Sequence, residues 1–485
     1  MAKKKRDEVA APPAAPLLSP ASWLFLIAVA VRLAHFFLYK GDFWHDTPLL
    51  DDNLFVSWRG VIQKEGFLAS SLGTFDLNPG YPYFLAYAGR LLGDGVLPVI
   101  LLQHLLGALA PVLLYRIGEQ LFDGRVGFVA GLLGAFYGPA VFFESRLLGE
   151  SFIYLLNIAA LWMLARAPAS APESRALLAG VFLGLSAVFR PTVLAFVPFA
   201  ALWLFATASS PLLSWLCALL LGLGTWLPML PFQLRNRAVD PSAGWGLTTA
   251  SGGVNLFLGN NPEADGLNKP PSFVHYGPGM QYRDFKEEAE AREGKKLSAR
   301  EVSSYWTRRT LKWFQERPAA AWSLVGRKAL LFWNHREPPD NFFQALFERF
   351  TKLREAPLAD WGLVSALGLL GLLASLPWLG TAWLLHAYAL TYLGLCAAFY
   401  VLARYRFPAA AGLIPLAAFA LVRFWDYARG LGRLKALGLA LLLLPCLWLT
   451  RLPLIGEEDP ASSHYSMAVV YANQGWKDKA VEEYR

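Results

Sequence analysis

Charge is what this sequence lacks most. Asp, Glu, Lys and Arg make up 16% of its 485 residues, where a soluble protein carries about a quarter. That shortage excludes an ordinary water-soluble chain of two or three domains. Cysteine is scarce too: Cys217, Cys396 and Cys446 all lie inside apolar runs and show no metal spacing. They read as packing residues and leave the redox compartment open. No small-residue cleavage site follows the first apolar segment, despite its basic start, so that segment reads as a retained span and not a signal peptide. The basic residues do not gather either. The net charge of +8 is spread over loops and span ends, which excludes a nucleic-acid surface and leaves no nucleic-acid partner.

Apolar surface is abundant instead. Hydrophobic residues account for 55% of the chain, with 18 Trp and 33 Phe, and the mean hydropathy is +0.36. The apolar residues fall in runs of membrane-spanning length, near 20 residues each. The fold class is therefore an all-α polytopic membrane protein. Residues 1–20 are basic, then Ala/Pro-rich, and read as a disordered cytoplasmic tail. The membrane domain follows over 21–450. Eleven spans are expected, at 23–38, 96–117, 126–143, 151–165, 176–189, 192–206, 212–230, 362–379, 382–401, 408–422 and 437–449. Lys3–Arg6 and the group Arg423, Arg429, Arg433 and Lys435 anchor the cytoplasmic side, with Arg116, Arg125, Arg166 and Arg175 beside them. A first outer loop (39–95), a long outer loop (235–361) and the C-terminus then lie on the far side.

Two features stand out against that topology. Asp51 and Asp52 are adjacent acids just beyond the first span, where desolvating charge is costly. Arg190, Arg404 and Arg406 sit at outer span ends, where orientation does not ask for arginine. Arginine at membrane depth is usually paired, and its planar fork suits phosphate; snorkelling to headgroups explains a single one as well. Arg404 and Arg406, close together in ARYRFP, favour an anionic ligand.

In the long outer loop, Gly252-Gly253 and Gly259-Asn260-Asn261-Pro262 bracket a strand-like run, VNLFL. Gly and Asn tolerate positive φ, so a shaped loop near a cavity is expected, with Asn260 and Asn261 as candidate substrate contacts. Helical patterns follow at 284–293, 298–316 and 319–333, the second opening on a capping box, Ser298 with Glu301. The third is amphipathic, carries Arg327 and Lys328, and suits a membrane surface. It ends in FWNHREPPDN, whose His335, Glu337 and Asp340 could suggest a divalent metal; their spacing matches no strong ligand motif, so no cofactor is assigned and the metal stays the lesser alternative. His335 and Glu337 remain candidate substrate contacts. Residues 451–485 differ in character. Counted from Ala461, the residues Ala468, Tyr471, Gly475, Ala480 and Tyr484 fall at 8, 11, 15, 20 and 24, the small and aromatic positions of a tetratricopeptide repeat. One unit cannot bury its own face, so further repeats are expected beyond residue 485.

With these motifs in hand, the chain resembles the GT-C superfamily of integral-membrane glycosyltransferases, and within it the bacterial protein O-mannosyltransferase-like group with C-terminal tetratricopeptide repeats. The resemblance runs over about 23–449. It rests on LLDDNLFVSW, NPGYPYFLAY, YGPAVFFESRLLGES, FRP, GGVNLFLGNNPEADG, LLFWNHREPPDN and ARYRFP in that order. It implies an outward-facing inverting enzyme of the bacterial cytoplasmic (inner) membrane. Such an enzyme takes a sugar from a polyprenyl-phosphate donor and gives it to a hydroxyl of a protein or glycan acceptor at the periplasmic face. The acid matching the family's general base is Asp51; many relatives have no Asp beside it, so the choice between Asp51 and Asp52 stays open. Arg404 and Arg406, and with them Arg190, are the cations for the leaving phosphate. Glu144 and Glu150 are placed to meet sugar hydroxyls or to orient an arginine, structural capping being an equal reading. Tyr81, Tyr83, Trp245 and Trp333 could flank sugar or lipid, and an interfacial belt explains them equally.

Two other classes compete. A transporter would show internal repeats or interrupted helices in matching halves, and none is visible. A non-catalytic membrane scaffold displaying tetratricopeptide repeats would make the acidic and arginine motifs dispensable.

Overall fold

The computed structural model describes residues 18–40, 48, 51–75, 77–241, 245, 251–275, 280–338, 358–456, 464, 467–468, 471–472 and 475–484. The regular elements among them are helices. The β pairing among them is one isolated parallel bridge between Tyr137 and Ala359, flanked by Gly138 N–H donating to Ala359 O and Ala359 N–H to Phe136 O, each at 2.8 Å.

A helix stands at each of the eleven expected span positions. Six are long and apolar enough to cross a membrane: Pro20–Tyr39, Val96–Leu121, Pro172–Phe189, Leu376–Ala398, Ala403–Arg429 and Arg433–Thr450. Pro211–Trp226 and Leu230–Val239, bent by 44° at the break between them, are long and apolar enough only when taken together. Gly124–Ala135, Pro191–Thr207 and Trp361–Ala374 are apolar but shorter. Local chemistry fixes several starts. Ser19 caps Pro20–Tyr39, whose first residue is a proline needing no hydrogen bond there. Asp123 accepts from Arg125 N and Val126 N at the start of Gly124–Ala135, and Asp360 from Leu363 N at 2.7 Å at the start of Trp361–Ala374.

The centre of the bundle is the helical stretch Ala403–Arg429, whose apolar window is 83% buried, against 28% for Pro20–Tyr39 and 17% for Arg433–Thr450. Those last two therefore lie at the periphery. Bilayer lipid is as apolar as leucine, so the helices hold together by close packing at small residues. Gly180 and Gly184 on Pro172–Phe189 show this against Pro211–Trp226. A Cβ on Gly180 would lie 2.3 Å from Leu221 O, and one on Gly184 2.2 Å from Thr225 O. Replacing Gly184 with Val is expected to force this pair apart and destabilise the protein by about 1–3 kcal/mol. Thermal unfolding in lipid nanodiscs measures it; a wild-type melting temperature would refute the close-packed interface. At the end of the bundle read as cytoplasmic, Arg125 pairs with Asp426 at 2.6 Å and Arg423 with Asp123 at 3.4 Å.

The polar region folds into helices Leu230–Val239, Gly252–Leu258, Met280–Glu293, Ala299–Glu316 and Pro318–Trp333. The run expected as strand-like, VNLFL, is helical. Gly253 lets its backbone meet the neighbouring helix, since a Cβ there would lie 1.8 Å from Ser303 O. The capping box forms as expected, and the Ser298 N–H and hydroxyl hold the Glu301 carboxyl down to about 2. Val254, Leu258, Phe285, Val302 and Trp306 make a core that also takes in Tyr400 and Leu402. Burying side chains of this size contributes roughly 1.5–3 kcal/mol each. This helical module is thus welded to the residues just before Arg404. In the C-terminal tract Gly475 adopts φ +78° and Lys477–Tyr484 is helical; Ala468, Tyr471 and Ala480 are buried, while Tyr484 is exposed.

Candidate active site

Asp51 and Asp52 open the helix Asp51–Glu65, where carboxylates favour the positive end of the helix dipole. Successive helical residues point about 100° apart, and the two acids diverge accordingly. Asp51 Oδ2 accepts from Arg404 Nη1 at 2.9 Å, the side chains being 24% and 14% exposed. Asp52 Oδ2 accepts from Arg146 Nη2 at 2.6 Å, with both side chains almost fully buried, 1% and 2%. One acid faces outward beside a cation and the other is locked inside.

Two further charges complete the cluster. Arg190, just before the short 3-10 helix Pro191–Phe196, pairs with Glu150 at the start of Glu150–Arg166. Its Nη1 also donates to Arg404 O at 3.2 Å. The Tyr405 ring lies under both guanidiniums, 4.8 Å from Arg190 and 5.6 Å from Arg404, a cation–π arrangement. Tyr405 Oη in turn lies 3.3 Å from Tyr400 Oη, which donates to Asn255 Oδ1 at 3.0 Å. The helical module of the polar region therefore sets the position of the Arg404–Tyr405 turn. Three carboxylates (Asp51, Asp52, Glu150) face three guanidiniums (Arg404, Arg146, Arg190). The cluster balances its own charge near lipid, which limits the desolvation cost.

Tyr81 borders this cluster. Burial, then the nearby Asp52 and Glu150, raise its phenol well above the ordinary range, and its hydroxyl donates to Gln103 at 2.7 Å. Tyr83 belongs elsewhere: its hydroxyl donates to Phe67 O at 2.5 Å, and its ring packs edge-on to Phe232 at 5.2 Å. Glu144 is buried on Arg32, at 2.8 Å, and on His104 Nδ1, at 3.1 Å. It orients an arginine, though one in the first span.

Arg406 does not join the Asp51 cluster. Fully buried, it donates to the carbonyls of Leu331, Phe332, Asn334 and Arg336 and to Glu337 Oε2. Its guanidinium also stacks on Trp361 at 4.7 Å. Glu337 is thereby an arginine partner, and the His335 N–H donates to Thr450 O at 2.7 Å. Asn260 and Asn261 close backbone turns. Asn260 Nδ2 donates to Leu256 O and Ala398 O, Asn261 Nδ2 to Phe257 O and Leu258 O. Asn260 Oδ1 accepts from Lys328 Nζ at 2.8 Å, and burial pushes that ammonium down to about 8. Trp245 covers Arg237 at 4.8 Å, and Trp333 is buried against Phe332. Asp340 lies outside the described residues. Among those described, no group of three or more His, Cys, Asp or Glu side chains could hold a metal ion.

Arg146 is the site residue that the sequence reading passed over. It lies in the quoted FESRLLGES at an outer span end, so the test that selected Arg190 applied to it equally.

Residues 76–232 match the family described as dolichyl-phosphate-mannose-protein mannosyltransferase. The match covers Tyr81, Glu144, Arg146, Glu150 and Arg190 but neither Asp51 nor Arg404, and over that stretch it bears out the resemblance to GT-C glycosyltransferases. No curated protein matches the chain. Among solved structures, the chain is similar to the oligosaccharyltransferase of Archaeoglobus fulgidus in complex with Zn and sulfate. The identity there is 15% and the TM-score 0.48, over 96% of this chain and 57% of that one. The same archaeal enzyme, with an inhibitory peptide and a dolichol-phosphate, gives 14% and 0.46 over 96% and 59%. ArnT from Cupriavidus metallidurans, bound to undecaprenyl phosphate, gives 13% and 0.35 over 83% and 78%. The chain thus spans less than two thirds of the length of the archaeal enzyme.

Proposed function

We propose that this GT-C-type membrane chain is an inverting glycosyltransferase. It moves a sugar from a polyprenyl-phosphate donor to a hydroxyl acceptor, a protein Ser/Thr or a glycan or lipid, on the outer face of the bacterial cytoplasmic membrane. The observation that carries the reading is the unequal pair: Asp51 is partly exposed beside Arg404, while Asp52 is locked on Arg146. Asp51 is then the general base, and Asp52 a structural partner.

An acceptor hydroxyl is a poor nucleophile until a carboxylate within hydrogen-bond reach takes its proton. As the hydroxyl oxygen bonds to C1 of the sugar, Asp51 receives the proton. The bond from C1 to the phosphate oxygen breaks on the opposite face, and the electron pair leaves with the lipid phosphate. Charge developing on that phosphate needs cations already in place. Arg404 and Arg190, joined by the hydrogen bond that the Arg190 guanidinium donates to the Arg404 carbonyl and sharing the Tyr405 ring, supply them. Outward orientation is supported by the charges at the other end of the bundle, where Arg423, Arg429, Arg433 and Lys435 gather.

Removing the Arg404 guanidinium is expected to lower kcat/KM for the donor about 100-fold, chiefly through kcat because the charge it meets develops in the transition state, with acceptor KM unchanged. Arg404→Lys should recover part of the loss, since it restores charge but not the planar fork. The assay is mass spectrometry of products from a panel of polyprenyl-phosphate sugars, with the protein in nanodiscs. Donor kinetics untouched by Arg404→Ala would remove the phosphate role. Absence of any transfer across the panel would favour the scaffold reading.

A further inference from the structure

The turn between Glu144 and Glu150 delivers two of the site's charges, Arg146 to Asp52 and Glu150 to Arg190. It is irregular backbone in a buried setting, where every carbonyl needs a partner. Gln103, itself 1% exposed, supplies two. Its Nε2 donates to Glu144 O at 2.8 Å and to Arg146 O at 2.9 Å, and its Oε1 accepts the Tyr81 hydroxyl at 2.7 Å. The same helical turn adds His104 on the Glu144 carboxylate and Gly107, where a Cβ would lie 2.1 Å from Glu144 Oε1. One turn of the Val96–Gly107 helix thus provides a backbone clamp, a side-chain partner and the gap that admits Glu144.

From this geometry we infer that Gln103 is a positioning residue for sugar transfer: it clamps the 144–146 backbone so that Arg146 meets Asp52 and the start of the Asp51–Glu65 helix is held with Asp51 against Arg404. The inference rests on the reading of Asp51 as the base. A primary amide is well matched to the task, because its two N–H groups serve two carbonyls while its oxygen takes the phenol. An apolar side chain of equal length would leave both carbonyls unpaired in a buried site.

The test is a double-mutant cycle on the full chain in nanodiscs, comparing wild type, Gln103→Met, Arg146→Met and both together, with Asp51→Asn alongside; every Arg146→Met protein also carries Asp52→Leu, so that no buried charge is left unpaired. Gln103→Met is expected to lower kcat about 10- to 100-fold, as small misplacements of a reacting group do, with both KM values within about threefold. On top of Arg146→Met it should cost less than about twofold, because Gln103 acts through Arg146. Losses that multiply in the double mutant, or a wild-type kcat in Gln103→Met, would overturn the inference. If Gln103→Met does not fold, Tyr81→Phe removes only the phenol from Gln103 and should lower kcat a few-fold, again without effect on the Arg146→Met background; multiplying losses there overturn the inference equally. Turnover retained in Asp51→Asn, or none in wild type, sinks the base assignment and the inference with it. A dead Asp51→Asn beside a fully active Gln103→Met sinks the inference alone.

Discussion

Asp51→Asn abolishes sugar transfer, lowering kcat by about 10³-fold or more, and leaves the fold intact. Asparagine keeps the shape of the side chain and an oxygen able to accept from Arg404 Nη1, but it cannot take a proton from the acceptor. The cost in stability is small, because a partly exposed ion pair such as Asp51–Arg404 contributes only about 0–1 kcal/mol. Asp52→Asn acts on stability as well as on turnover. It breaks the fully buried pair with Arg146 and should lower the melting temperature more than the Asp51 change does. Product mass spectrometry together with thermal unfolding of both variants separates these effects. Full transfer by Asp51→Asn would remove Asp51 as the base.

The second large effect is on stability. Arg406→Ala withdraws the donors from four backbone carbonyls and from Glu337. Breaking a buried ion pair from one side costs roughly 3–5 kcal/mol, a large share of the margin by which a protein is folded. The expected result is little or no folded protein, seen as loss of the monodisperse peak in detergent. A well-folded Arg406→Ala variant with only a lowered kcat/KM for the donor would restore Arg406 to the phosphate site, beside Arg404.

Those two arginines also mark how far the sequence could be read. The mismatch between charge and membrane orientation selected Arg190, Arg404 and Arg406 together, and it found depth without direction. Residues two apart on a helix point about 200° apart, so on Ala403–Arg406 one arginine faces Asp51 and the other the 331–337 segment. Inequality within Asp51-Asp52 was hidden for a different reason. What buries Asp52 is Arg146, 94 residues away in sequence, and local pattern carries no record of such a partner. The helices were legible because apolar runs of bilayer length leave few alternatives, and the capping box at Ser298 because its chemistry is local. VNLFL misled because a short run with four apolar residues in five suits a strand as readily as a helix. Packing on Ser303, 50 residues on from Gly253, decided it.

The pairing distances also set an order of assembly. Glu150 and Arg190 lie 40 residues apart, Asp52 and Arg146 94, but Asp51 and Arg404 353. At a synthesis rate of about 5–20 residues per second, Asp52 can find its cation within roughly 5–20 s of leaving the ribosome. Asp51 waits roughly 20–70 s. A nascent chain halted before the helix that carries Arg404 would therefore hold a scaffold already pinned at Arg146 and a base still without that cation.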